Sequence, residues 1–136
     1  MFSIRYAAQG DAPYWYSLEK HMAKSEFDLK VRDKRCYLIV EGDRPVGIMR
    51  YGLFWDNTPF LNLLYLEESG RGKGFGTKAM AHWEKEMRAL GYEAVMTSTQ
   101  ADEKAQHFYR KIGYRDCGRL MADEQEAPEI FLVKRL

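Results

Sequence analysis

Four glycines and three basic residues stand together in residues 70–78, which read GRGKGFGTK. An apolar run precedes this segment and a helix-like pattern follows it. Amides at the start of a helix have no carbonyl partner and carry partial positive charge, so they bind anions. Glycines let the backbone approach a phosphate and adopt a positive φ. The segment therefore predicts a phosphate or pyrophosphate site, and the alternative is a glycine-rich turn with solvated charges.

Two widespread phosphate-binding motifs do not fit this segment. A Walker A loop needs G-x-x-x-x-G-K-[ST], which these residues do not supply. A dinucleotide fingerprint G-x-G-x-x-G needs a glycine where Phe75 or Thr77 stands, and it needs a βαβ unit instead of the meander predicted before the loop. Both mismatches disfavour an ATP-binding or NAD-binding protein.

Two motifs resemble those of one protein family. The spacing Arg71-x-x-Gly74-x-Gly76 resembles the acetyl-CoA pyrophosphate motif of the GNAT superfamily of N-acetyltransferases. Residues 105–114, AQHFYRKIGY, resemble the family's second signature, A-x-x-F-Y-x-x-x-G-[FY]. Because both motifs fall on the expected elements in the expected order, the resemblance spans nearly the whole chain.

The resemblance implies where acetyl-CoA binds. The pantetheine arm is expected beside the strand that ends at Leu66, and the pyrophosphate on the amides of residues 71–77, with the Thr77 hydroxyl as a further donor. The residues expected to contact the cofactor are Leu64, Tyr65, Leu66, Arg71, Gly72, Lys73, Gly74, Phe75, Gly76, Thr77, Asp102, Ala105 and Phe108.

Tyr109 occupies the position at which family members often place a general acid. The reaction is direct attack of an amine on a thioester in a ternary complex, with CoA thiolate as the leaving group. A phenol near the sulfur donates a hydrogen bond or a proton as charge develops there. The competing interpretation is that Tyr109 only packs in the apolar stripe beside Phe108.

The chain departs from the family pattern at two positions. Asp102 stands where many members carry an Asn that contacts the cofactor, and Asp cannot donate that hydrogen bond. Phe60 stands where some members carry a Glu as general base. Asn62, Ser98 and Glu67 are then the candidates for holding a water that takes the proton.

An aromatic tip is the candidate acceptor surface. Phe54 and Trp55 precede Asp56 at a turn that, by the resemblance, borders the acceptor site. Aromatic walls with one acid suit an amine that bears an apolar or cationic group. Packing inside the domain or in a dimer is the equally weighted alternative. The predicted substrate residues are Phe54, Trp55, Asn62 and Ser98.

Apolar periodicity supplies the elements that position these groups. Strands are expected at residues 2–6, 37–40, 46–53, 60–66, 94–98, 114–121 and 130–133. Helices are expected after Asp11, at 25–32, after Gly76 to about Leu90, and before Gly113. Asp11 is expected to cap the first helix, which is expected to extend to Met22. Thr99 or Asp102 is expected to cap the last helix. The order β-α-α-β-β-β-α-β-α-β-β predicts an α+β fold with a mixed, mostly antiparallel sheet and about four helices.

The resemblance adds that this sheet is splayed between its fourth and fifth strands, in a single acyl-CoA N-acyltransferase domain covering 1–136. The apolar run 60–66 has no polar face, so it is expected at the centre of the sheet.

Composition narrows the classes of partner. The chain has 136 residues, with 21 Lys+Arg against 20 Asp+Glu, a formal charge of +1. This balance argues against nucleic acid or a membrane surface as partner. The histidines and the two cysteines, Cys36 and Cys117, lack ligand spacing, so no metal is expected. Unpaired cysteines suggest the reducing cytoplasm, and a homodimer is plausible because small sheets often cover their edges.

The function predicted is an acetyl-CoA-dependent N-acetyltransferase acting on a primary amine of a small molecule or peptide. The rival is a non-catalytic acyl-CoA-binding sensor or interaction module of the same fold, which the two departures keep open.

Overall fold

The structure is a computed structural model, and it describes residues 1–121 and 123–136. Its strands are β1 (Phe2–Tyr6), β2 (Cys36–Glu41), β3 (Arg44–Phe54), β4 (Thr58–Leu66), β5 (Ala94–Gln100), β6 (Arg115–Leu120) and β7 (Glu129–Arg135). Its α-helices are α1 (Ala12–Leu18), α2 (Lys24–Arg32), α3 (Phe75–Ala89) and α4 (Ala105–Lys111). This order of strands and α-helices is the one predicted from the sequence.

The seven strands form one sheet in the order β1-β2-β3-β4-β5-β7-β6. β1 with β2, β2 with β3, β5 with β7 and β6 with β7 are antiparallel, whereas β4 and β5 are parallel. The mixed, mostly antiparallel sheet is confirmed, and so is the central place of β4, the fourth strand of seven. Among the described residues, no helix is long and apolar enough to cross a membrane.

The chain divides into two compact units by its internal contacts. The first comprises Met1–Gly52 and Leu63–His82. Its core forms where α1 and α2 pack on β2 and β3, because both helices present aromatic rings on one face. Trp15 and Phe27 are fully buried with ring centroids 5.5 Å apart. The core cluster is Ala7, Trp15, Met22, Phe27, Cys36, Leu38, Val40 and Ile48.

The second unit comprises Leu53–Asn62 and Trp83–Leu136. β5 alternates strictly between buried and half-exposed residues, and the first four residues of β7 continue that alternation. Successive strand residues point to opposite faces of a sheet. One face is therefore buried and the other half-exposed. The buried face carries Leu61, Val95, Thr97, Thr99, Ile130 and Leu132.

The parallel pairing of β4 with β5 is short. Among the described residues its register covers only Phe60↔Met96 and Leu61↔Thr97. The Thr97 hydroxyl donates to the Leu61 carbonyl at 3.0 Å, at the last paired position. The Leu61 carbonyl therefore accepts a hydrogen bond from the Thr97 side chain where the pairing of β4 with β5 ends. This fits the splay predicted between the fourth and fifth strands.

Neither predicted helix cap forms its side-chain hydrogen bond. Asp11 stands at the N-cap position of α1 but makes no capping hydrogen bond there, because its carboxylate accepts from the Ala8 amide and from Arg5 at 2.8–2.9 Å. α4 starts after Lys104 without a side-chain cap. Thr99 is a buried residue of β5, and Asp102 lies exposed in the turn before the helix.

The first helix is also shorter than its apolar spacing suggests. α1 ends at Leu18, and Met22 lies in the loop beyond it, although its side chain is buried as predicted. The Glu19 carboxylate accepts from the amides of His21 and Met22 at 2.6 and 2.9 Å, and from Arg50 at 3.1 Å. These bonds hold the loop in place of a further helical turn.

Candidate functional site

The glycine segment connects β4 to α3 within the first unit. A 3₁₀ turn at Glu68–Gly70 follows β4, and α3 begins at Phe75. Gly72 and Gly74 have φ of +73° and +79°, a conformation that costs other residues about 1–2 kcal/mol. A Cβ added at either glycine would meet nothing within 4 Å. The backbone of the segment is therefore open on that side.

Main-chain amides converge at the start of α3. The Lys78 amide bonds to the Gly74 carbonyl at 3.1 Å. The amides before Lys78 belong to the first turn, for which an α-helix offers no carbonyl. The Phe75 ring is buried and lies 5.4 Å from the Phe2 ring, which fixes the helix start on β1. The amides and the helix dipole together form a fixed acceptor for an anion.

The basic side chains of the segment are exposed, and one of them is neutralised. Lys73 Nζ lies 2.9–3.0 Å from both carboxylate oxygens of Glu41 on β2. This ammonium holds the pKa of Glu41 below its ordinary value. Lys78 lies over the Phe2 ring at 5.8 Å. The positive charge of the glycine segment is thus smaller than its number of basic residues implies.

Arg71 folds back over the end of β4. Its Nε donates to the Leu66 carbonyl at 2.9 Å, and its guanidinium lies 5.5 Å from the Tyr65 ring. Leu66 was predicted to offer main-chain groups to pantetheine. A carbonyl oxygen has two lone pairs, so the bond from Arg71 leaves one for a ligand. Leu64, two residues earlier, is half-buried on the same strand.

Glu67 is engaged by α1. The Tyr14 hydroxyl donates to Glu67 Oε2 at 2.5 Å. Burial and this hydrogen bond raise the pKa of Tyr14. Of the three candidates for holding a water, Glu67 therefore already has a strong partner inside the first unit.

Tyr109 lies on the buried side of the second unit. It is 7% exposed, and burial raises the pKa of its phenol to about 12 against a smaller opposing effect of the Thr97 hydroxyl. The phenol therefore keeps its proton throughout the neutral range. Thr97 also binds the Leu61 carbonyl, so the hydroxyl of Tyr109 lies at the level where the β4–β5 ladder ends.

Residues of the second motif fix the helix that carries Tyr109. The Tyr114 hydroxyl donates to Glu84 at 2.7 Å, and Lys134 binds the other Glu84 oxygen and the Ile112 carbonyl at 2.8 Å. Gly113 has φ of +104°, and a Cβ there would lie 3.2 Å from Lys134. The motif's glycine and final aromatic residue thus have a structural reason: they end α4 and anchor it.

Three predicted cofactor residues lie on or before α4. Asp102 is exposed, whereas Ala105 and Phe108 are half-buried. The Phe108 ring contacts that of Tyr109 at 5.1 Å. The sequence singled out Thr99 only as a possible helix cap, whereas it is 6% exposed and its hydroxyl has no hydrogen-bond partner among the described residues. This buried hydroxyl lies on the face of the sheet that Tyr109 covers, and it is suited to a hydrogen bond with a polar group of a ligand.

The predicted substrate residues lie at or near the other, half-exposed face of β5. Phe54 stacks on Phe60 with ring centroids 5.9 Å apart, and the Trp55 ring lies tilted to that of Phe54 at 4.7 Å. Trp55 is 86% exposed. Asn62 is exposed and follows Leu61, the last residue of β4 in the described pairing with β5, whereas Ser98 is half-buried.

Ser98 has a partner that the sequence did not reveal. Its hydroxyl donates to Glu129 Oε2 at 2.7 Å, and Gln125 Nε2 donates to the other oxygen at 3.2 Å. The only sequence signal was the alternation of β7, which places Glu129 and Phe131 on one face. Within 1–121 and 123–136, no three His, Cys, Asp or Glu side chains are grouped to hold a metal ion.

The profile of one family matches most of the chain. It is the acetyltransferase (GNAT) family, and it matches residues 3–114. No curated protein matches the sequence significantly.

Solved structures share this fold at low identity. A ribosomal-protein-alanine N-acetyltransferase from Brucella melitensis is 20% identical, with a TM-score of 0.81 over 98% of this chain and 99% of its own. A GNAT family acetyltransferase from Elizabethkingia anophelis with acetyl-CoA bound is 16% identical, with a TM-score of 0.77 over 99% of this chain and 98% of its own.

A larger enzyme contains the same fold as one part. The N-acetylglutamate synthase from Neisseria gonorrhoeae, complexed with coenzyme A and N-acetyl-glutamate, is 16% identical, with a TM-score of 0.81. The match covers 100% of this chain and 35% of the synthase, so the chain spans about a third of that protein.

Proposed function

The chain belongs to the GNAT family of acetyltransferases, and from this premise we propose that it transfers the acetyl group of acetyl-CoA to a primary amine. The acceptor is a small molecule or a peptide. The observation that carries the proposal is the start of α3, where open backbone at Gly72 and Gly74 precedes amides that have no helical acceptor. That arrangement fits a pyrophosphate.

The groups that we propose for acetyl-CoA follow the two motifs. The amides of residues 71–77 and the Thr77 hydroxyl bind the pyrophosphate, and the main chain of Leu64 and Leu66 binds pantetheine amides. Ala105 and Phe108 offer further contacts, and so does the Thr99 hydroxyl, which has no hydrogen-bond partner among the described residues. Asp102 cannot donate to the cofactor, so we expect its contact to be the weakest.

Tyr109 supplies the proton-donating group. The amine nitrogen attacks the thioester carbonyl carbon, a C–N bond forms, and the C–S bond breaks. The ammonium acceptor loses one proton before attack and a second afterwards, and the departing sulfur takes up one of them. Because burial raises the pKa of Tyr109 to about 12, its phenol stays protonated and donates a hydrogen bond to the sulfur as charge develops.

A non-catalytic acyl-CoA-binding module is the second candidate. The side chain at position 60 favours it. Some members of the family carry a Glu there as general base, whereas this chain has the half-exposed ring of Phe60, stacked on Phe54. The homodimer and the cytoplasmic setting stay predictions.

Release of free thiol from acetyl-CoA over a panel of primary amines tests the proposal. Turnover with at least one amine, saturable in both substrates, supports an acetyltransferase. Tight acetyl-CoA binding without thiol release over the whole panel supports the binding module. Stabilisation by ATP or NAD but not by acetyl-CoA contradicts both.

A further inference from the structure

We propose that Glu129, held by Ser98, receives the ammonium group of the acceptor, and that the aromatic rings beside it select an amine with an apolar neighbouring group. This inference rests on the proposed acetyl transfer and names the acceptor class of that reaction. Every residue involved belongs to the second unit.

The proposed subsite lies on one face of the sheet. Ser98 pairs with Phe131, and Met96 pairs with both Phe60 and Val133. Paired residues point to the same face, and all five side chains are half-exposed. An apolar surface that is neither buried nor fully solvated therefore surrounds the Ser98 hydroxyl.

Glu129 places a carboxylate on this surface. It lies two residues before Phe131 on β7, so both side chains share a face. Ser98 and Gln125 each donate to one of its oxygens, at 2.7 and 3.2 Å. Two donors orient the carboxylate and leave further lone pairs for an ammonium.

Gln125 adds an acceptor without a partner. Its Oε1 is buried, and it makes no hydrogen bond within the part of the chain that the structure describes. An unsatisfied buried carbonyl is energetically unfavourable. A ligand with several N–H donors, as a primary ammonium has, satisfies both this oxygen and the Glu129 carboxylate.

The proposed subsite and the proton donor Tyr109 lie on opposite faces of β5. Thr97, beside Tyr109, faces the buried side of β5, and its neighbour Ser98 faces the half-exposed side. The described register of β4 against β5 ends at Thr97. An amine on the Glu129 side and a sulfur on the Tyr109 side therefore meet where no ladder hydrogen bonds intervene, as direct attack requires.

Aromatic rings define the part of the acceptor next to the amine. Phe60 lies 5.8 Å from Phe131 and 5.9 Å from Phe54 between ring centroids. Ring faces attract a cation and bury flat apolar groups. The combination selects a primary ammonium with an adjacent aromatic or aliphatic group over an amine with a polar neighbour.

The proton step balances at this site. The ammonium donates one proton to the Glu129 carboxylate, which leaves a neutral amine with a free electron pair and a neutral carboxylic acid. The amine then attacks the thioester carbonyl carbon, the C–N bond forms, the C–S bond breaks, and a second proton of the nitrogen passes to the departing sulfur. Glu129 returns its own proton to solvent after the amide has formed.

The first experiment compares kcat/KM for 2-phenylethylamine in the wild type and Glu129→Gln between pH 7 and pH 9.5. Gln keeps an acceptor for Ser98 but takes no proton. We expect a loss of about 10²-fold at pH 7. The loss shrinks towards pH 9.5, because the free fraction of an amine with a pKa of about 10 rises about tenfold per pH unit.

Glu126→Gln is the matched control, since Glu126 is exposed in the loop just before β7 and its replacement should leave the profile unchanged. A purely structural role for Glu129 predicts a loss that does not depend on pH. Equal kcat/KM in the wild type and Glu129→Gln would overturn the proposal.

The aromatic part of the inference is tested with a second pair of acceptors. We expect the wild type to prefer 2-phenylethylamine over ethanolamine by at least about tenfold in kcat/KM. Phe131→Leu should reduce that preference and leave the KM for acetyl-CoA unchanged. No preference in the wild type contradicts selection by the rings.

Direct binding separates this inference from the proposed function. Calorimetry in the presence of CoA compares 2-phenylethylamine with 2-phenylethanol in both proteins. Amine binding that Glu129→Gln weakens at least tenfold, with alcohol binding unchanged, supports the subsite even if no turnover occurs and acetyl transfer fails. Equal amine binding by both proteins refutes the subsite even if the wild type is an active acetyltransferase.

Discussion

At the scale of single residues, Tyr109 combines burial with a position at the end of the β4–β5 ladder. Tyr109→Phe removes one hydroxyl and keeps the ring contacts with Phe108 and Tyr114. We expect kcat to fall by about 10²-fold, with the KM for acetyl-CoA within about twofold, as measured by thiol release. Unchanged kcat would mean that Tyr109 only packs.

A second residue-scale prediction concerns the ion pair of Lys73 with Glu41. Both side chains are partly exposed, so Glu41→Gln should scarcely change stability. It should tighten acetyl-CoA binding a few-fold at low salt, because Lys73 then loses the charge that neutralises it. About 0.5 M salt should abolish the gain by screening.

Calorimetric titration of acetyl-CoA at two salt concentrations measures this effect. Asp33→Asn is the control, because it breaks another exposed ion pair, with Arg32. Weaker binding by Glu41→Gln at low salt would show that Glu41 orders the glycine segment instead of offsetting its charge.

At the scale of elements, the glycine segment is the clearest test of the cofactor site. Gly74→Ala places a Cβ at φ +79°, which strains the backbone and narrows the approach to the amides. We expect at least about tenfold weaker acetyl-CoA binding beside a stability loss of about 1–2 kcal/mol.

Gly91→Ala is its matched control. Gly91 has φ of +95° at the end of α3, and a Cβ there also meets nothing within 4 Å. It should lose similar stability in urea unfolding and keep its affinity. An equal loss of affinity in both variants would attribute the effect to general destabilisation.

The elements themselves were largely predictable, and their ends were not. Alternation and 3.6-residue periodicity located each of the seven strands and four α-helices, because both patterns depend on local burial. The end of α1 depends on Glu19 and its contact with Arg50, 31 residues away. No local signal reports such a partner.

The candidate site shows the same division. Glycine spacing and the tyrosine motif depend on neighbours in sequence, so they were readable. The bond of Ser98 to Glu129 depends on the register of β5 against β7. The bonds of Lys73 to Glu41 and Tyr14 to Glu67 likewise join distant residues, so the sequence overstated how free these groups are.

At the scale of the whole molecule, buried tyrosine and cysteine side chains make the free energy of unfolding decrease at alkaline pH. Burial raises the pKa of Tyr109 and of the Cys36 thiol to about 12, and it also raises the pKa of Tyr114. Unfolded tyrosine and cysteine lose their protons near pH 10 and 8.5. Above those values the unfolded chain binds fewer protons than the folded one, so the free energy of unfolding falls as pH rises.

Urea unfolding between pH 8 and 11 measures this fall. Tyr109→Phe should show a shallower decline above pH 10 than the wild type, by up to about 1.4 kcal/mol per pH unit. Identical slopes would mean that the phenol is already ionisable in the folded protein.

The unequal exposure of the three tryptophans gives the molecule an optical probe of its own. Trp15 and Trp83 are fully buried, whereas Trp55 is 86% exposed beside Phe54. Iodide in solution reaches Trp55 and not the other two, so the collisionally quenched part of the fluorescence comes from the aromatic tip. Any acceptor or partner that covers this tip becomes visible as protection from iodide, without a label and before any product forms.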